Sequence, residues 1–217
     1  MFGGISYMLP HQVHIIDHPV IADKLTRLRQ GVNAPRSFRE LLYDLAVMVG
    51  YEATKSLDTE EIIVDMSSGP VTCKRIVSEV ALVPILRSGL GMVEGVAQLV
   101  PFASVWHIGL YRDKLTTKPQ TYYSNLPDVV SSKTCLILDP MLATGGSAVA
   151  VAKMLKQRGA SNMKFLGLIG VLEGIEHLVS EYPEIQIYLA ALDAGLDAKA
   201  RIVPGFSGDS GDRQFGT

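Results

Sequence analysis

Along the chain, short apolar runs alternate with segments whose apolar residues recur at helical spacing. VALVPIL from Val80, SVWHIGLYR from Ser104, LILD from Leu136, MKFLGLIGV from Met163 and IQIYLAAL from Ile185 are mainly apolar, as strands covered by helices on both sides must be. SAVAVAKMLKQRGA places Val149, Ala152 and Leu155 on one helical face and ends in a basic turn before Gly159. Phe38, Leu41, Leu42, Leu45 and Val49 follow the same rhythm behind a Ser37–Glu40 capping box, which predicts a long helix starting there. Five apolar strands separated by helices predict an α/β fold: a doubly wound, mainly parallel five-stranded sheet flanked by helices, with right-handed crossovers.

Three stretches depart from that alternation. EIIVDM and VTCKRIV flank a turn cluster at Ser67–Pro70 and predict a β arm, a hairpin beside the main sheet. Residues 113–127, DKLTTKPQTYYSNLP, are polar and longer than an ordinary connection, which leaves two readings, a disordered segment or a functional lid. Residues 193–217 end in a glycine-rich tail, RIVPGFSGDSGDRQFGT, and suit an irregular hood better than a helix. His177 stands alone on the short helix of EGIEHLVSEYP and reads as structural. With no repeat or linker in 217 residues, residues 1–217 read as a single domain large enough for a substantial core.

A net charge of −2 gives no electrostatic case for nucleic acid or an anionic membrane as the main partner. No apolar stretch reaches membrane-spanning length, and MFGGISYMLPHQ lacks the pattern of a secretory leader. Cys73 and Cys135 are too few for a disulfide framework, so the expected location is a reducing cytoplasm. His11, His14 and His18 lie close in sequence, but no carboxylate or cysteine completes a convincing metal set.

The chemistry concentrates in Leu136–Ser147, LILDPMLATGGS. Asp139 emerges from a buried strand at the edge where open α/β sheets bind ligands. Thr144, Gly145, Gly146 and Ser147 then allow successive N–H groups to converge on one anion at the start of a helix, whose dipole favours a phosphate. The loop lacks the lysine of a P-loop and the spacing of a dinucleotide fingerprint. Arg87 and Arg112 each follow an apolar strand, where a guanidinium can grip phosphate oxygens with two parallel hydrogen bonds.

Four separated motifs, VPILRSGLGM, GLYR, ILDPMLATGGS and the glycine-rich tail, together resemble the uracil phosphoribosyltransferase family of type I phosphoribosyltransferases, over His14 to Thr217. The resemblance implies the type I phosphoribosyltransferase fold and transfer of the phosphoribosyl group of 5-phosphoribosyl 1-diphosphate (PRPP) to N1 of uracil, giving UMP and diphosphate. It assigns PRPP to Arg87, Arg112, Asp139, Pro140, Met141, Leu142, Ala143, Thr144, Gly145, Gly146, Ser147 and Asp209. Among these Arg87, Arg112, Asp139 and Asp209 carry the catalytic roles, and Asp209 faces Mg2+. Ile202, Gly208, Asp209 and Ser210 would hold uracil, whose acceptor, donor, acceptor edge can be read by backbone groups of the hood. The segment VHIIDHPVIADKLTRLRQ is similar to the family's N-terminal strand and helix, and the resemblance makes residues 113–127 an arm or flexible loop near the active site. A homodimer or higher homo-oligomer and GTP as an effector also follow from the resemblance alone.

The tail is one residue longer between Pro204 and the Gly208–Asp209 pair than the family form, Arg201 stands where an aromatic residue is common, and Leu172 replaces a proline. Two other readings stay open at this level: a phosphoribosyltransferase for another base, and a nonenzymatic PRPP-sensing regulator on the same fold.

Overall fold

The computed structural model describes residues 9–30, 34–112, 119–130, 133–206 and 208–217, with the side chain of Arg112 outside that description. The expected arm at 113–127 is therefore seen only in part. The chain opens with β1 (Val13–Ile15), α1 (Pro19–Arg29) and α2 (Pro35–Thr54). An antiparallel hairpin follows, β2 (Thr59–Met66) and β3 (Gly69–Ile76), forming a sheet of its own with Met66 opposite Gly69 across a two-residue turn. Next come β4 (Glu79–Leu86), α3 (Leu90–Ala97), β5 (Ser104–Val105), β6 (Ile108–Arg112) and β7 (Pro119–Ser124). The second half runs β8 (Lys133–Leu138), β9 (Met141–Leu142), α4 (Gly146–Gln157), β10 (Asn162–Gly170), α5 (Leu172–Glu181) and β11 (Gln186–Leu192). It closes with β12 (Gly195–Leu196), β13 (Ile202–Val203) and α6 (Ser210–Phe215).

The strand order of the main sheet is β1-β11-β10-β8-β4-β6-β7, with β5 on β4 and β9 on β10. Every pairing from β1 to β6 along this path is parallel, and β7 is added antiparallel to β6. The predicted apolar strands form the parallel centre, and β1, β7 and two short strands extend it. SVWHIGLYR is interrupted at Trp106–His107: the Trp106 N–H still donates to Leu82 O at 2.8 Å, while β6 resumes pairing at Ile108 with Ile85.

Alternation along the strands makes two cores. Leu82, Leu136, Leu138 and Leu166 face α1, α2 and α3, packing with Phe38, Leu42, Leu45 and Val49. Val83, Ile85, Ile137 and Phe165 face α4 and α5, packing with Val151, Leu155 and Leu178. Each fully buried side chain of this kind contributes roughly 1.5–3 kcal/mol, and one polar substitution in a central strand would damage a whole layer.

Two local expectations are corrected. Helix α2 starts at Pro35, not at the Ser37 capping box, because proline is pre-organised for a first helical position and Glu40 pairs with Arg36 one turn back at 2.8 Å. The tail also contains a true helix, α6: the Asp209 carboxylate accepts from the Asp212 N–H at 3.0 Å, and Gly216 closes the end with φ +72°. Histidines near the N-terminus have structural roles, since His18 Nδ1 accepts from the Val20 N–H at the start of α1 and His14 stacks on Tyr188.

Candidate active site

The sheet changes its direction of winding between β4 and β8. From β4 the chain moves outward to β6, then returns to the opposite side of β4 for β8, β10 and β11. Connections leave the two strands in opposite directions, so a crevice opens at their carboxyl ends. Arg87 and Ser88 follow β4, Asp139 follows β8, and the Ser88 hydroxyl donates to Asp139 Oδ1 at 2.7 Å. A cavity of about 510 Å³ lies above them, with Met141, Ala143 and Ser147 on one side, Asp209 and Ser210 on another, and Tyr111 and Tyr122 of the β6–β7 edge on a third. It shares Asp139, Met141, Ala143 and Ser147 with a hollow of about 140 Å³ formed by residues 141–148.

That hollow is the loop anticipated from TGGS. Gly145 precedes α4 with φ +77°, and a Cβ there would lie 2.7 Å from the Gly174 carbonyl oxygen, so both backbone angle and space require glycine. The first N–H groups of α4 lack intrahelical partners and open on the hollow together with the positive end of the helix dipole. No lysine or arginine is among the residues that line the hollow, so any anion there would rest on backbone N–H groups.

Asp139 is the most perturbed group of the site. Burial raises its pKa from 3.8 to about 7, the Ser88 hydroxyl and the Met141 N–H oppose the rise, and the Asp209 carboxylate adds to it. Asp139 and Asp209 thus bring two carboxylates into one cavity, an arrangement of hard oxygen donors that a divalent cation would relieve. Among the described residues no cluster of three metal-ligating side chains occurs, so most of a magnesium ion's ligands would be substrate and water oxygens.

Arg87 is half exposed and engaged by the hood. Its Nη2 donates to Asp212 Oδ1 at 2.6 Å and its Nη1 to Thr217 Oγ1 at 3.2 Å. Gln214, fully buried, donates from Nε2 to the Ser88 carbonyl at 2.8 Å and to Ser210 O at 3.1 Å. The hood is also clamped from the far side: Asp193 accepts from Arg29 at 3.0 and 2.7 Å and from the Gly205 N–H at 2.7 Å. Arg213 lies 4.2 Å over the Phe38 ring, which meets Phe206 edge-on.

The site residues expected from sequence are thus not all alike. Arg87, Asp139, Met141, Ala143, Ser147, Asp209 and Ser210 line the larger cavity, and Leu142, Thr144, Gly145 and Gly146 the smaller hollow. Pro140 is buried and its carbonyl accepts from the Leu168 and Ile169 N–H groups, which anchors the loop to β10. Ile202 is buried in the core on β13, and Gly208 takes φ +86°; neither lines these cavities. Arg112 ends β6, next to the strand that delivers Arg87.

A family model described as uracil phosphoribosyltransferase matches residues 15–217. The chain belongs to the uracil phosphoribosyltransferase family. Its relatives include the uracil phosphoribosyltransferases of Roseiflexus sp. (strain RS-1), 53% identical over 95% of this chain and 99% of that one, and of Enterococcus faecalis, 44% identical over 94% and 97%. A solved structure of the AQ2163 protein from Aquifex aeolicus superposes with a TM-score of 0.88 at 33% identity, covering 94% of this chain and 97% of that one.

For a member of the uracil phosphoribosyltransferase family, the site holds contacts that sequence reasoning misses. Ser88 lies beside Arg87 in RSGLG, where a hydroxyl next to a strand-end arginine is a usable signal for a carboxylate partner. Asp212 and Gln214 carry only the pattern of a capped short helix, D-x-x-D followed by glycine, which is equally at home in an irregular segment. Two of the three departures from the family pattern are absorbed locally: Leu172 is the first residue of α5, and Arg201 pairs with Asp197, whose carboxyl is held at about 2 by the Arg201 side chain and backbone N–H groups.

Proposed function

We propose that this chain transfers the phosphoribosyl group of PRPP to N1 of uracil, releasing diphosphate and forming UMP, a step of pyrimidine salvage. The observation that carries the reading is the convergence, at one switch-point crevice, of an anion-sized glycine loop, a half-buried carboxylate and an arginine. The 5-phosphate occupies the hollow of residues 143–147, where backbone N–H groups and the start of α4 stabilise it. Asp139 then faces the ribose hydroxyls, which replace the water that its carboxyl otherwise meets. Arg87 exchanges its bond to Asp212 for the diphosphate, and Arg112, the last residue of the adjacent strand, is the second arginine that the family resemblance assigns to it.

Bound magnesium would neutralise diphosphate charge as the C1–O bond to it breaks, and Asp209, which shares the cavity with Asp139, would be the residue to hold it. Electrostatic relief of the leaving group and close placement of N1 against C1 supply the rate. Uracil carries a proton at N1, so its ring is polarised by hydrogen bonds from the hood around Ile202 and Gly208–Ser210 instead of by a dedicated base, and as the N1–C1 bond forms the N1 proton passes to solvent or to the departing diphosphate. Tyr111 and Tyr122 line the open side and limit water access to the reacting carbon.

Self-association is supported by the β2–β3 hairpin, whose Ile63, Met66, Val71 and Ile76 side chains are exposed, Ile63 to 74%. Two free thiols, Cys73 and the buried Cys135, fit a reducing cytoplasm, and no described helix is long and apolar enough to cross a membrane. The function is tested by diphosphate release from PRPP and magnesium with uracil, cytosine, hypoxanthine or orotate. Selective turnover with uracil is expected. Turnover with another base would keep the PRPP assignment and overturn the base, and silence with every base would overturn the catalytic reading, leaving PRPP binding to be measured separately.

A further inference from the structure

Helix α5 forms the wall behind the glycine loop, and two of its residues one turn apart, Gly174 and His177, meet the loop backbone. A Cβ on Gly174 would lie 2.3 Å from the Ala143 carbonyl oxygen and 2.8 Å from that of Leu142, which also accepts from the Val171 N–H at 3.2 Å. His177 Nδ1 lies 2.7 Å from the Thr144 carbonyl oxygen. A carbonyl can only accept, so the imidazole proton must be on Nδ1. Three successive carbonyls, of Leu142, Ala143 and Thr144, are therefore turned toward the β10–α5 junction.

In a trans peptide the C=O and N–H bonds point in opposite directions. None of these peptides is cis, so each carbonyl drawn toward α5 sends the N–H of the next residue away from it, into the hollow. At the Thr144–Gly145 peptide the matter is most sensitive, because glycine at φ +77° offers little steric resistance to a rotation of the peptide plane. The His177 hydrogen bond is what fixes that plane. The side chain, which looks merely structural in the sequence, is exposed and touches the loop from behind.

We propose that His177 is a positioning residue for the phosphate site: by holding the Thr144 carbonyl it aims the Gly145 N–H at the 5-phosphate of PRPP. The inference rests on the assignment of residues 143–147 to that phosphate. It acts through the backbone, so it bears on donor affinity and leaves both the chemistry and the uracil pocket alone.

The test is steady-state kinetics of His177→Ala, His177→Asn and His177→Gln with PRPP and uracil varied in turn. One such hydrogen bond corresponds to about a 3- to 10-fold change in an equilibrium, so His177→Ala should raise KM for PRPP by that factor, with kcat and KM for uracil within twofold of wild type. Asparagine carries its N–H where imidazole carries Nδ1 and should restore KM to within twofold, whereas glutamine, which reaches the place of Nε2, should not. An unchanged KM for PRPP in His177→Ala, an equal rise in both KM values, or an asparagine variant no better than alanine would overturn the proposal. If the wild-type chain shows no turnover with uracil, the functional reading fails by itself; titration calorimetry with ribose 5-phosphate then gives the same comparison among variants, and equal affinities would overturn the role of His177.

Discussion

Replacing Asp139 with asparagine separates what the site needs for chemistry from what it costs the fold. The folded carboxyl keeps its proton up to about pH 7, whereas a solvated aspartate loses it near 3.8. Across that window the folded chain binds more protons than the unfolded one, so the group's contribution to stability falls as pH rises. The penalty is absent below about pH 3.8 and complete above about pH 7. A full shift of this size corresponds to about 4 kcal/mol; because Asp139 opens partly onto the cavity, water reduces it to roughly half. The asparagine side chain cannot ionise, yet it offers only one acceptor oxygen for the Ser88 hydroxyl and the Met141 N–H, so the pH dependence is more informative than the absolute stability. Urea unfolding of wild type and D139N at pH 5 and pH 8 is the assay. The stability of D139N relative to wild type should rise by about 1–3 kcal/mol between the two pH values, while turnover is lost. A difference that stays constant with pH, or that falls toward pH 8, would refute the reasoning.

Three further perturbations address other parts of the site. Arg87→Lys replaces a fork with a point charge at a half-exposed position, and should lower kcat/KM for PRPP by about 30- to 100-fold with an unchanged unfolding midpoint. Gly145→Ala meets both φ +77° and the Gly174 carbonyl, so it should cost about 1–3 kcal/mol in chemical unfolding and raise KM for PRPP. Asp193→Ala removes the acceptor shared by Arg29 and the Gly205 N–H; a loss of about 2–4 kcal/mol is expected, with KM for uracil rising more than KM for PRPP in initial-rate measurements.

The parts of this molecule that can be read in sequence are those whose physics is local. Strands β4, β8, β10 and β11 announce themselves because burial on both faces demands unbroken apolar runs, and the loop at 143–147 because a backbone anion site demands small residues before a helix. Asp139 and Arg87 follow from the same logic, as the first polar residues after a buried strand. What is not legible is held together across the chain. Ser88 to Asp139 joins residues 51 apart, Gln214 to Ser88 126 apart, and Arg29 to Asp193 164 apart; no periodicity encodes such pairs. Local signals also compete. Pro35 outranks the Ser37–Glu40 box as the start of α2, and a six-residue helix in a glycine-rich tail has too short a pattern to stand out, although Asp209 and Gly216 are its proper caps.

The most direct measurement is a crystal structure of the chain with PRPP and magnesium bound. The account predicts the 5-phosphate within hydrogen-bonding distance of the backbone N–H groups of residues 143–147, the ribose hydroxyls at Asp139, and the diphosphate on Arg87 in place of Asp212. Phosphate groups seated elsewhere, such as the groove between α2 and α3 lined by Arg39, Tyr43 and Glu94, with the 143–147 hollow filled only by water, would contradict it.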